Sequence, residues 1–410
     1  MTRRILIVAA TAALVLAASA GTAVAASPSW ATDAHYGIQE LMGSGDGSPV
    51  GWNSGTGLWG GQTAPRWWQS AIAVTTLARY GERTPDQSSA INKVLVRTYQ
   101  LNVNSSRNGS PNFINQYSDD TAWWGMAWLA AAQWELNYRQ DQTDAARFLA
   151  VAEADAAHIN QLPRPCGGIQ WSPNNPPHTI NQAGFITLTA ALARFRASGP
   201  FHNSGLASQW LSDAQAAWNW LENSGLVNTS TGRVTYDSIG STSNCQNFSG
   251  GPVTYTQGEV ADALVQLGLA LNQPSYFSPA QNFIQYTLSD SEFMYNGVLQ
   301  NRCEALSPNC QANSNQLDIT AFKGIFMWAV GDWSEANPGS SAFSSFDQAQ
   351  ATAIVNNAIY NGAGAQQPGC VSATTCQLAF SWARLISPPL ITDGTQSSAL
   401  GAFIDVLQRS

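Results

Sequence analysis

The chain has 410 residues, of which only 11% are charged, with 18 basic against 26 acidic side chains and a formal net charge of −8. Lys93 and Lys323 are its only lysines, and the sequence holds no basic run. Such a surface repels nucleic acid and anionic membranes, so neither is expected as a partner, and its polar, weakly charged character suits a neutral substrate.

Residues 1–25 combine a basic start (Arg3, Arg4), a short apolar stretch and the small-residue site Ala23-Val24-Ala25. This is the pattern of a secretory signal peptide, and it predicts a secreted, extracellular protein starting near Ala26. No later segment is apolar for long enough to suggest a membrane span. Residues 26–410 contain no linker, low-complexity tract or shift in composition and are read as one catalytic domain, monomeric by default.

Hydrophobic periodicity predicts helices over 28–43, 66–80, 86–105, 119–138, 142–160, 178–197, 205–223, 253–271, 275–293, 315–333, 343–361 and 393–409. They alternate in character. The segments at 119–134, 180–195 and 256–270 are apolar nearly all round, as buried helices are. Those at 86–105, 142–160 and 205–223 are amphipathic. Twelve alternating helices predict an all-α fold, an (α/α)6 barrel of six hairpins with an inner and an outer ring. The glycine-rich loop 44–64 and the loops 161–177, 224–252 and 294–314 are long enough to be functional, and are expected to line a substrate cleft at one end.

Six cysteines allow fifteen pairings. Proximity favours Cys303–Cys310 and Cys370–Cys376, which leaves Cys166–Cys245. Without a Cys-x-x-Cys, and with four scattered histidines, no zinc site is expected. Residues 44–47 carry a fragment of a calcium-loop pattern without its full ligand set. No metal and no cofactor are predicted.

The chemistry centres on Ser118-Asp119-Asp120-Thr121-Ala122-Trp123-Trp124. With Ser118 as N-cap, both aspartates fall in the first turn of a helix. Acids there are commonly no more than partners of the helix dipole. Here the apolar residues that follow make the helix interior, so the pair opens at the mouth of the core. Like charge and desolvation then separate the two pKa values. Glycoside hydrolysis needs that separation: one carboxylate attacks or stabilises the anomeric carbon while the other stays protonated for the leaving group. Neighbouring side chains permit the roughly 5 Å spacing of a retaining enzyme.

Sixteen tryptophans supply rings on which sugars stack. Trp124, Trp128, Trp134, Trp218 and Trp220 are assigned to the core, and Trp52, Trp59, Trp67, Trp68 and Trp171 are sugar-contact candidates. Glu135 and Asp155 are read as solvated helix acids, His35 and His178 as loop or surface residues. Lys323 is expected to pair with Asp318 or Asp290. The absence of Gly-x-Ser-x-Gly disfavours a serine hydrolase.

An ordered set of motifs resembles glycoside hydrolase family 76, the endo-α-1,6-mannanases and their fungal cell-wall relatives. It runs from Arg66-Trp67-Trp68-Gln69-Ser70 through Asp119-Asp120-x-x-Trp123-Trp124, Cys166-Gly167-Gly168-Ile169 and Asn181 to Tyr236-Asp237. It continues with Thr254-Tyr255-x-Gln257-Gly258 and Phe322-Lys323-Gly324-Ile325-Phe326, and ends at Ser398-Ala399-Leu400. The resemblance implies an (α/α)6 barrel and retaining, endo-acting hydrolysis of α-1,6-mannan, with Asp119 as nucleophile and Asp120 as acid/base. It places Asp237, Tyr255 and Gln257 around the attacked sugar, and adds Trp67, Trp123, Trp124 and Asn181, beside Trp171, as substrate-binding candidates. Ile72, His178, Thr256 and Gln300 depart from the family pattern at positions near the expected subsites. Two other readings stand beside hydrolysis. One is a transglycosylase that remodels cell-wall glycan, disfavoured by a chain end without an apolar anchor tail. The other is a carbohydrate-binding protein without activity.

Overall fold

The computed structural model describes residues 28–43, 50–60, 66–105, 111–307, 317–372 and 376–407. The proposed signal peptide, the calcium-like stretch 44–47 and Cys310 lie outside the described residues. Thirteen α-helices are found among those described. They are α1 (Pro28–Met42), α2 (Trp67–Arg83), α3 (Ser88–Asn102), α4 (Ser118–Trp134), α5 (Gln142–Asn160), α6 (Thr179–Ala197) and α7 (Ser204–Asn223), followed by α8 (Thr254–Leu271), α9 (Phe277–Ser289), α10 (Arg302–Leu306), α11 (Ile319–Ala336), α12 (Ser344–Asn357) and α13 (Asp393–Val406). Twelve match the predicted helices. The short α10 does not appear in the periodicity, because a single turn is too short to show a period.

Helices α2, α4, α6, α8, α11 and α13 pack side by side in that order, and α13 closes back on α2. Around this ring α3 covers α2, α5 covers α4, α7 covers α6 and α9 covers α8, while α1 and α12 pack on α13. This is the (α/α)6 barrel. The described strands form four two-stranded antiparallel hairpins, all within loops.

The helices sort themselves by composition. An inner helix meets a neighbour on each side and an outer helix behind, so it must be apolar nearly all round. In α4, Ala122, Trp124, Ala127, Trp128, Leu129, Ala131 and Trp134 are all buried. The outer α7 buries only a stripe, Trp210, Ala214, Ala217, Trp218 and Leu221. Each large apolar side chain so buried contributes about 1.5–3 kcal/mol. Two glycines let inner helices approach closely. A Cβ on Gly324 would lie 2.5 Å from Ser398 Cα, and one on Gly258 would lie 2.6 Å from Phe326 Cα.

Because an outer helix returns between successive inner ones, the six inner helices run in the same direction. Their N-termini and the long loops that precede them gather at one end.

Several expectations are corrected. Ser118 is the first residue of α4, not its cap; Tyr117 holds the cap position with extended backbone. Glu135 is fully buried, bonded to Arg139 (2.8 Å) and Asn92 (2.8 Å), at the start of a π-helical turn, Glu135–Arg139, that ends α4. Asp155 is also fully buried, with no hydrogen-bond partner among the described residues, and burial pushes its carboxyl well above the usual range. Lys323 pairs with Glu304 of α10 (3.0 Å), not with Asp318 or Asp290, and donates to Phe380 O (2.5 Å). Trp52 and Trp59 are buried, with Nε1 donating to Thr98 Oγ1 (3.0 Å) and Leu41 O (2.7 Å), so they pack the core. His35 sits within α1, paired with Asp86. Trp124, Trp128, Trp134 and Trp218 are core as expected, while Trp220 is half-buried. Disulfides Cys166–Cys245 and Cys370–Cys376 are present, and Cys303 is also disulfide-bonded. No helix among the described residues is long and apolar enough to cross a membrane.

Candidate active site

The first turn of α4 is anchored from outside the helix. Ser118 N donates to Trp171 O (2.9 Å) and Ser118 Oγ to Gln170 O (2.8 Å). Both acceptors lie in the loop 161–177, which is itself fixed at several points. Cys166–Cys245 ties it to the loop 224–252. Trp220 lies against the Gly167-Gly168 backbone and donates to Cys166 O (2.9 Å); a Cβ on Gly168 would fall 2.4 Å from its ring. Asn181 and Gln182 of α6 donate to Ile169 O at 2.9 and 2.8 Å. The Cys-Gly-Gly-Ile segment therefore sets the height and angle of the turn that carries the aspartates.

Asp119 and Asp120 are both half-buried at this turn. Asp119 Oδ1 accepts the backbone N–H of Asp120 (3.0 Å), and the Trp171 side chain hydrogen-bonds the Asp119 carboxyl. Asp120 Oδ2 accepts from Asn115 Nδ2 (2.6 Å). Burial pushes Asp119 up to about 6, held there by the Trp171 and backbone donors. Burial and the adjacent Asp119 charge push Asp120 well above the carboxylate range, only partly offset by Asn115. The two protons leave in steps that belong to the pair. The donors favour charge on Asp119 and leave the proton on Asp120, so one half-buried acid and one half-buried base stand side by side.

Other inner helices bring their first turns to the same place. Asp237 precedes α6 in space: its carbonyl accepts Thr179 N (2.7 Å), and its carboxyl lies 3.6 Å from His178 Nδ1. That spacing is within ion-pair range, but burial lowers His178 to about 4 and raises Asp237 to about 6, so the imidazole is neutral near pH 7. His178 stacks on Trp171 (4.7 Å between centroids), which also leans on Tyr117 (4.9 Å), forming one aromatic wall. Tyr255, in the first turn of α8, stacks on Phe322 (3.9 Å). Burial raises its phenol well above 10, and the charges of Asp237, Asp119, Asp318 and Asp120 add to the shift, so its hydroxyl stays a proton donor among four carboxylates. Asp318, at the start of α11, accepts from Trp68 Nε1 and Gln69 Nε2 at 2.8 Å each. The end of the barrel is thus a ring of acids and aromatics around the Asp119–Asp120 pair.

The model of glycosyl hydrolase family 76 matches residues 30–404. The chain belongs to glycosyl hydrolase family 76. Mannan endo-1,6-alpha-mannosidase DCW1 of Candida albicans is 24% identical over 224 residues, 51% of this chain and 46% of the relative. A putative mannan endo-1,6-alpha-mannosidase of Schizosaccharomyces pombe is 24% identical over 278 residues, 63% of this chain and 56% of the relative. The chain thus spans about half the length of these curated relatives. Among solved structures, Dfg5 from Chaetomium thermophilum in complex with glucosamine superposes with a TM-score of 0.69 at 20% identity, covering 92% of this chain and 89% of that one. An α-1,6-mannanase of Salegentibacter, as an inactive variant with two consecutive aspartates replaced by alanine and α-1,6-mannotetrose bound, gives a TM-score of 0.66. It is 18% identical, with coverages of 92% and 99%. These likenesses establish the barrel.

Of the predicted substrate-binding residues, Trp171, Asp237 and Tyr255 stand at the family-76 pair. The others do not. Asn181 is fully buried, its Oδ1 accepting His178 N (2.8 Å), and serves the loop and the start of α6. Gln257 is fully buried, binding Val234 N (2.5 Å) and Gly232 O (2.9 Å). Trp124 is enclosed by Phe113 (4.4 Å) and Trp128 (6.0 Å), and Trp67 packs on Phe113 and Trp124. Trp123 is buried, packs behind Trp68 (6.2 Å between centroids) and lines the cavity below the pair. For these five the motif reflects architecture. Conversely, the sequence reading left out Asn115, Tyr117, His178, Asp318 and Phe322 as site residues. A usable signal existed for Asp318: like Asp119, Asp120 and Tyr255, it opens an inner helix.

One acidic group elsewhere, Glu135 with Asp141 and Asp144, is close enough together to accept a cation. Arg139, Arg147, Asn92 and the N–H groups opening α5 already occupy its oxygens.

Proposed function

We propose that this protein is a secreted, retaining glycoside hydrolase that cleaves α-1,6-mannosidic links within mannan through a covalent mannosyl-enzyme. The observation that carries the reading is the unequal treatment of two adjacent half-buried carboxylates: the Asp120 N–H and the Trp171 side chain favour charge on Asp119, while Asn115 bonds Asp120 beside that charge. Asp119 attacks the anomeric carbon as the glycosidic C–O bond breaks, and Asp120 gives its proton to the departing oxygen. Asp120, now a carboxylate, takes a proton from the incoming water, which displaces Asp119 from the sugar. Asn115 holds Asp120 in position. The Tyr255 hydroxyl and the carboxylates of Asp237 and Asp318 offer one donor and several acceptors for sugar hydroxyls, and Trp171 offers a ring. The α-1,6-mannan substrate is supported by the family and by the names of its relatives. Export is supported by the signal-like residues 1–25 and the disulfides.

The test is product analysis on unbranched α-1,6-mannan with wild type, Asp119→Ala and Asp120→Ala. Short mannooligosaccharides from wild type alone are expected. Oligosaccharides longer than the substrate would assign the same covalent step to transfer. Undiminished turnover by either variant would refute the pair.

A further inference from the structure

A second cavity of about 410 Å³ occupies the barrel lumen below the aspartate pair, beginning one turn beyond it at Trp123 and Glu259. It is lined by the middle and C-terminal turns of α2, α4, α6, α8 and α11. Trp123, one turn below Asp119 and Asp120, lines its wall, and the exposed Tyr138 stands at its mouth. The volume falls in the range of small-molecule pockets.

Its charges do not balance locally. Arg79 donates to both oxygens of Asp332, and Arg83 pairs with Glu335, so those two acids are neutralised. Arg194 donates to the neutral amide of Gln266 (Oε1, 2.6 Å), so its charge offsets one further acid, and the lining still holds five acids against three arginines. Of the acids not in an ion pair with Arg79 or Arg83, Glu259 and Asp262 lie three residues apart on α8 and so on one face, with only 3% and 8% of their surface exposed. Asp262 Oδ1 accepts Gln266 Nε2 (3.0 Å). Glu259 Oε1 has no hydrogen-bond partner among the described residues, and the Thr187 hydroxyl lies beside the same carboxyl and favours its charge. A buried carboxylate oxygen without a partner is costly, and the cost is removed when a donor arrives. Burial pushes Glu259 up to about 7, and burial with the neighbouring Asp332 and Glu259 charges pushes Asp262 well above the carboxylate range.

We propose that this cavity is a second ligand site, specific for a small organic cation bearing a primary ammonium group. The ammonium sits between Glu259 and Asp262, and its hydrocarbon part lies along Trp123 and Met126. Three N–H donors match the two carboxylates and the Thr187 hydroxyl. The aromatic walls suit a cation with an apolar body. A bare calcium ion needs six to eight oxygens at 2.3–2.6 Å, which two carboxylates on one helix face do not supply. A neutral polyol brings no charge to favour the ionised form of either acid.

The experiment is saturation-transfer NMR and calorimetric titration of the full chain with n-butylammonium chloride, beside 1-butanol and calcium chloride at matched ionic strength. The expected result is saturable binding of the ammonium alone. It should weaken at least about tenfold in Glu259→Gln and in Ala130→Phe, which adds bulk to the cavity wall and leaves both carboxylates. Binding should persist in Asp119→Asn, and Glu259→Gln should keep wild-type turnover of mannan. Melting curves confirm that each variant is folded. No binding, equal binding of butanol, or binding of calcium alone would overturn the proposal. So would binding lost in Asp119→Asn but kept in Glu259→Gln, which would place the amine in the catalytic cleft.

Discussion

Replacing Trp171 by Phe keeps a ring between Tyr117 and His178 while deleting the N–H that bonds the Asp119 carboxylate. A hydrogen bond to a charged group is worth about 1.5–3 kcal/mol, and one pKa unit corresponds to about 1.4 kcal/mol. Losing the donor therefore raises Asp119 by roughly one to two units from its value of about 6. The nucleophile must be ionised, so activity disappears as pH falls through that pKa. In the variant the acidic limb of kcat/KM moves to about pH 7–8, and at about pH 6 kcat/KM falls roughly five- to fiftyfold. The alkaline limb, set by Asp120, moves little. The assay is reducing-end release from α-1,6-mannan across the pH range, with melting curves as a folding control. An acidic limb that stays in place in a folded variant would show that Trp171 does not hold Asp119 in its charged form, and the assignment of nucleophile would fall with it.

Asp120→Asn should lower turnover about 10²–10⁴-fold, as expected for loss of a general acid. The same change should raise Tm. The folded-state pKa of Asp120 lies above its unfolded value, so its ionisation opposes folding; that cost is absent below the unfolded pKa and grows as pH rises towards the folded one. Thermal denaturation should show the gain at neutral pH and not near pH 4. Gly324→Ala drives a methyl into the Ser398 backbone and should cost about 1–3 kcal/mol, read as a lowered denaturant midpoint. Lys323→Met leaves Glu304 buried and unpaired at a cost of about 3–5 kcal/mol. Adding Glu304→Gln should recover part of that loss, and a strictly additive double-mutant cycle would refute the coupling.

The fold and the centre of the site follow from local sequence. A helix apolar on every face has to be interior, and an amphipathic one has to lie outside it, so alternation between the two along twelve segments already implies two concentric rings. An Asp-Asp pair opening an interior helix is likewise legible, because the residues that bury it follow it directly. Composition could not separate residues that touch the site from residues that build it. Asn181 and Gln257 are polar residues in helix first turns, but Asn181 is engaged with His178 N and Ile169 O, and Gln257 with Val234 N, Gly232 O and Phe283 O. Glu135 and Asp155 resemble solvated acids because the side chains and helices that enclose them come from other segments. Lys323 meets Glu304 only because α10 folds over α11. Tertiary structure alone decides which first turns converge, and so brings Asp237, Tyr255, His178 and Asp318 to the aspartate pair. It also determines that the lumen below the site encloses Glu259 and Asp262. In each case the deciding quantity is which distant group supplies or withholds a hydrogen bond, and that is a property of packing, not of sequence spacing.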